Sequence, residues 1–205
     1  MSGHHTFKGY YREDGSVGTA NYWIVIPMVF CENRNVNVMR EAMLEQLGFH
    51  AHNRYAGFTH LLKESYRYGK SVMEIEGINI EAHERNRKSS VFTNVDGISF
   101  LTHQGGCGGT RQDANALCGL LAGYITNPNV AGATVLSLGC QNAQVEILLN
   151  EIKKRDAAFD KPLYVLDQQQ TGIEADLIRS AIRQTFNGLI DADKNIAREA
   201  SLNKI

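Results

Sequence analysis

Four short, unbroken apolar runs constrain this chain more than any other feature: Tyr22 to Phe30 (YWIVIPMVF), Ile98 to Thr102 (ISFLT), Ala133 to Leu138 (ATVLSL) and Leu163 to Leu166 (LYVL). A strand with one wet face alternates apolar and polar residues, whereas an unbroken run fits a strand covered on both faces. Pro27 removes a ladder donor, so the first strand should end or bulge near it, or lie at an edge. After each run comes a stripe at helical spacing. The stripes are Val36, Met39, Met43 and Leu47; Ala114, Leu117, Cys118, Leu121 and Ile125; Val145, Leu148, Leu149 and Ile152; and Ile173, Leu177, Ile178, Ala181, Ile182 and Phe186. Strand then helix, with connections too long for hairpins, predicts a three-layer α/β fold: a right-handed, doubly wound, mostly parallel, Rossmann-like sheet.

The segment Gly48 to Asp96 breaks this rhythm, because about 49 residues is far beyond an ordinary connection. It reads as a helical insertion after the first βα unit, within a single domain covering 1–205. Phe58, Leu61, Leu62 and Tyr66 mark one short helix. Ser71 with Glu74 offers a capping box for another, running into the charged stretch Glu81 to Lys88. Basic and acidic side chains nearly balance, 21 against 22, so no surplus positive field exists to hold nucleic acid or an anionic membrane surface. The longest apolar stretch is about ten residues, short of the roughly 20 a spanning helix needs. A cytoplasmic protein is expected, with its four widely spaced cysteines as reduced thiols.

All four strand-to-helix junctions are polar. They read Cys31-Glu32-Asn33, His103-Gln104-Gly105-Gly106-Cys107-Gly108-Gly109, Gly139-Cys140-Gln141-Asn142 and Asp167-Gln168-Gln169-Gln170. Ligands of open α/β sheets bind outside these strand ends. Cys31, Cys107 and Cys140 occupy equivalent junctions and could converge on a metal ion or an iron-sulfur cluster, where soft ligands are preferred. The alternative is that each is a small residue tolerated at a crowded turn. Cys118 falls on an apolar stripe and reads as core. The turn Gly105 to Thr110 permits close backbone approach and opens a helix, with Thr110 and Asp113 as its cap, so its amides suit an anion. His103 or Arg111 could add hydrogen bonds or charge, and His103 could serve as a base. No P-loop lysine follows the turn and no dinucleotide fingerprint is present.

Several ordered segments resemble the altronate dehydratase and galactarate dehydratase family: GYYREDGSVGTAN from Gly9 to Asn21, the strand Ile24 to Cys31, Thr102-His103 with Gly106-Cys107-Gly108, Pro128-Asn129-Val130, Leu138 to Asn142 with Gln144-Val145, and Gln168-Gln169-Gln170. The resemblance implies the middle part of a three-part enzyme, without the N-terminal β-rich module and the C-terminal region. It implies a hydro-lyase that removes water from an aldonic or aldaric acid to give a 2-keto-3-deoxy sugar acid, aided by iron(II) or a similar divalent ion. On that reading His103 and Cys107 are the catalytic candidates. Gly106, Gly108, Gly109, Thr110, Arg111, Asn142 and Gln169 would hold substrate, and Cys31, Cys107 and Cys140 the metal. The partners would be the sugar acid, the remaining domains and, compatibly, further copies of the chain. Such a fragment should be inactive alone; a non-catalytic interdomain or oligomerisation domain is the rival expectation.

Overall fold

Successive residues of a strand point to opposite sides of a sheet, and here both sides are covered by helices. The computed structural model describes residues 5–49, 54–71 and 90–204. In chain order the strands and helices are β1 (Thr6–Tyr11), β2 (Val17–Gly18), β3 (Tyr22–Pro27), α1 (Asn33–Leu44), α2 (Arg54–Arg67), β4 (Gly97–Phe100), α3 (Arg111–Thr126), β5 (Val130–Ser137), α4 (Val145–Arg155), β6 (Leu163–Asp167), α5 (Gln168–Thr171), α6 (Glu174–Asp193) and β7 (Arg198–Ser201). The four expected strands form one wholly parallel sheet in the order β4-β3-β5-β6. Trp23 and Val25 pack with Val36, Met39 and Met43 of α1 and Leu177, Ala181 and Leu189 of α6. Ile24 and Ile26 pack on the other side with Ala114, Cys118, Leu121 and Ile125 of α3 and Leu148 and Ile152 of α4. Burying each such aliphatic chain is worth roughly 2 kcal/mol, so the two faces together fix the three-layer arrangement.

The largest core side chain shows how closely these layers meet. Trp23 is fully buried and donates from Nε1 to Thr134 Oγ1 at 3.1 Å, while Thr134 and Thr185 of α6 share a hydroxyl hydrogen bond of 2.7 Å. Gly132 and Gly188 flank the indole, and a Cβ on either would collide with its ring.

β3 ends at Pro27, as the missing donor requires, and a 3-10 turn, Phe30–Glu32, leads into α1. β3 is nevertheless an interior strand: its last residue pairs with Leu136, and proline at that end interrupts little of the ladder. The chain leaves β3 through α1 on one face to reach β4, then returns through α3 on the other face to β5. The neighbours β3 and β5 are thus a switch point, and their carboxyl ends bound a crevice. In the insertion, α2 covers the apolar positions 58 to 66. The second helix expected from Ser71 through Glu81 to Lys88 falls on residues 72–89, outside the described residues. The structure adds a second sheet, antiparallel and ordered β2-β1-β7, that no apolar run announces.

Candidate active site

The turn between β4 and α3 does not stay over β4. Phe30 N–H donates to Gly105 O at 2.9 Å, Ala143 N–H donates to Gly106 O at 3.0 Å, and Asn142 Nδ2 donates to Cys107 O at 2.8 Å. Segments following β3 and β5 therefore hold the glycine turn from both sides, across the switch point. Gly106 makes this possible: its φ is 102°, and a Cβ there would strike Met28 O and lie 2.7 Å from Val29 Cα. Only glycine combines that backbone geometry with so close an approach.

Beyond Gly106 the turn opens outward. Thr110 caps α3 by accepting from Asp113 N–H, and Asp113 accepts from the Thr110 amide at 2.7 Å, a reciprocal capping box. The Thr110 amide and, at 2.9 Å, the Thr110 hydroxyl both donate to Asp113 Oδ2 and hold its carboxyl below the usual carboxylate range. Among the described residues nothing accepts from the amides of Cys107, Gly108, Gly109, Arg111 and Gln112. Open amides at a helix start are donors suited to an anion, and Arg111 occupies the first helical position.

His103 is used differently. Its Nε2 lies 2.7 Å from Pro27 O, and its Nδ1 accepts from Gly105 N–H at 3.2 Å. Satisfying both requires the neutral tautomer protonated on Nε2. Asn33 holds the same segment, donating from Nδ2 to His103 O at 2.7 Å and accepting from its amide at 3.4 Å. The ring thus braces the turn against the end of β3, a role only coordinates reveal.

Cys31, Cys107 and Cys140 are all exposed and all lie on this rim, after β3, β4 and β5 respectively. Cys118 is buried in the α3 stripe, and burial raises its thiol pKa to about 11. Among the described residues no group of three or more His, Cys, Asp or Glu is arranged to hold a metal ion. Sharing a rim is therefore not the same as forming a ligand set, and the thiols as placed do not fit a metal with three protein donors.

After β5 and β6 the polar groups satisfy one another. Ser137 Oγ donates to Asp167 Oδ2 at 2.9 Å and accepts from Gln141 Nε2 at 2.8 Å; Gln141 Oε1 accepts from Gly139 N–H at 2.7 Å. Asp167 also caps α5. Gln169 reaches back toward β5, close enough that a Cβ on Gly139 would lie 2.7 Å from its Oε1. Glu32 is 2% exposed and accepts from Asn35 Nδ2 at 2.9 Å. Burial raises the pKa of its carboxyl, and the charges of Glu174 and Asp167 raise it further. Asn33 and Gln141 belonged to junctions already singled out as polar, but nothing in the residue pattern gave their partners.

A doubly wound sheet with open donors over its switch point defines a Rossmann-like α/β domain whose candidate site lies at the crevice outside the strand ends. The chain belongs to the D-galactarate dehydratase/altronate hydrolase family, as its second domain, for the profile of that domain matches residues 9–193. It is also 25% identical over 171 residues to a protein named altronate dehydratase from Bacillus subtilis (strain 168), an overlap of 82% of this chain and 26% of that protein. The chain thus spans about a quarter of that relative. No solved structure matches it. Among the described residues no helix is long and apolar enough to cross a membrane.

Proposed function

We propose that this chain supplies the carboxylate-binding rim of a sugar-acid hydro-lyase, which removes water from an aldonic or aldaric acid to give a 2-keto-3-deoxy sugar acid. The observation that carries this reading is the set of open amides at Cys107, Gly108, Gly109, Arg111 and Gln112, held over the switch point in a chain of dehydratase lineage. A proton alpha to a carboxylate is very weakly acidic. Fixed donors on that carboxylate stabilise the enediolate charge that develops as the proton leaves, and they cost no reorganisation at that moment. Gly106 to Thr110 shape the cradle, Arg111 adds charge, and Asn142 and Gln169 face the rest of the substrate. His103 acts by bracing the cradle. Cys107, exposed within it, is the group of this chain best placed to exchange a proton with substrate.

A divalent iron would polarise the carboxylate and assist hydroxide departure. Because the described residues offer no ligand set, its donors would include groups outside them, which this reading assigns to other parts of a longer enzyme. The chain alone would then bind without turning over. The self-satisfied hydrogen bonds after β5 and β6 favour a second reading, a non-catalytic interdomain surface, and one experiment separates the two. Incubated with a panel of hexonates and hexarates, the purified chain should release no 2-keto-3-deoxy acid; measurable release would refute the division of labour. Grafted in place of the matched 171 residues of the Bacillus subtilis relative, it should support dehydration that Arg111→Pro abolishes. Dehydration unaffected by Arg111→Pro would leave the interdomain reading.

A further inference from the structure

Two large apolar side chains stand out on the outward face of α3, on the side of the sheet opposite α1 and α6: Leu120 is 58% exposed and Tyr124 46%. With them runs a groove of about 750 Å³, lined by the small residues Ala116, Gly119 and Gly123 of α3 and by Glu151 and Arg155 of α4. Glycine inside a helix costs stability relative to alanine. Packing within the chain does not demand it here: nothing lies within 4 Å of where a Gly123 Cβ would stand, and a Cβ on Gly119 would lie 3.4 Å from Arg155 Nη2 and 3.7 Å from Glu151 Oε2.

The α3 residues that line the groove fall into pairs equidistant from the midpoint between Gly119 and Leu120. They are Gly119 with Leu120, Ala116 with Gly123, Asn115 with Tyr124, and Gln112 with Asn127. Two α3 helices laid antiparallel about a twofold axis at that midpoint bring the members of each pair level. A knob then faces a hole, small faces small, and amide faces phenol or amide, which is the self-complementarity an isologous contact requires. The charges agree with this arrangement. Arg155 donates to Glu151 Oε2 at 2.8 Å, and both groups stand beside Gly119, next to the axis. Each copy's carboxylate would therefore approach the other's guanidinium.

We propose that this face of α3 binds a second copy of the chain, antiparallel and isologous. The contact uses none of the side chains assigned to substrate, so it stands or falls apart from the carboxylate-binding reading.

Sedimentation equilibrium of the purified chain should show a reversible monomer to dimer association. Gly123→Gln puts a good helix former where the monomer has open space and fills the groove. Thermal unfolding and circular dichroism should show its fold intact, while the dimer dissociation constant rises at least tenfold. Leu120→Ala, which removes the knob and leaves the groove open, should also raise it at least tenfold. A parent chain still monomeric at about 1 mM would overturn the proposal, because so weak a contact is no specific association. A dimer whose dissociation constant stays within twofold of the parent in either variant would overturn it too, since the copies would then meet through another face.

Discussion

The two ends of the parallel sheet use polar groups in opposite ways. At the amino ends of the strands almost everything is paired. Asn21, fully buried, donates from Nδ2 to Asn94 O and Ala192 O and accepts from Arg12 Nη1 at 3.0 Å. Arg12 also donates to Pro128 O and Ala20 O, and Asn129 Oδ1 accepts from the amides of Thr19 and Ala20. Lys161 Nζ donates to Thr126 O at 3.0 Å and Asn127 O at 2.7 Å, closing the carboxyl end of α3. At the carboxyl ends the glycine turn leaves its amides open. A saturated network rigidifies, so the first end is a clasp; the second, with its open amides, is the end to which the proposal assigns the ligand. Much of the family-like sequence, Arg12, Asn21, Pro128 and Asn129 included, belongs to the clasp.

Gly106 is the exception at the open end, since it seals the turn to β3. Gly106→Ala combines a left-handed φ with a backbone collision and should cost about 3 kcal/mol or more in chemical denaturation. Within the clasp, Asn21→Ala should cost about 3 kcal/mol, because it strands a half-buried guanidinium nitrogen and two carbonyls. A loss under 1 kcal/mol would show that the amino-end network is not saturated in solution.

Lys161 sharpens the contrast through pH. Burial, with help from Arg12, lowers its pKa from 10.5 to about 8. Between those values the unfolded chain binds more protons than the folded one, so this group's contribution to stability rises with pH. Lys161→Met should remove that rise when unfolding is measured from pH 7 to 10. The smallest effect is expected at the open end, where Arg111→Ala should change stability by less than about 0.5 kcal/mol while weakening carboxylate binding.

The unbroken runs disclosed the strands, and the stripes disclosed their helices, because burial on both faces leaves a local signature. The Thr110-Asp113 cap was legible for the same local reason. The sheet β2-β1-β7 was not: its pairing joins Phe7 to Ala200, and Arg198–Ser201 carries no apolar run. Nor could spacing reveal that the turn after β4 leans across β3 and β5, since a few long-range backbone hydrogen bonds decide it. The polar strand-to-helix junctions were therefore readable, while the bracing role of His103 needed coordinates.

In the proposed rim, main-chain amides, not the guanidinium alone, receive the carboxylate. Proline is well accepted at the first position of a helix, and Thr110 already has the extended backbone that precedes it. Calorimetric titration with gluconate of Arg111→Ala, which keeps the amide, and Arg111→Pro, which removes it, isolates that contribution. Binding should be at least fivefold weaker for the proline variant than for the alanine variant at matched stability. Equal affinities would contradict it.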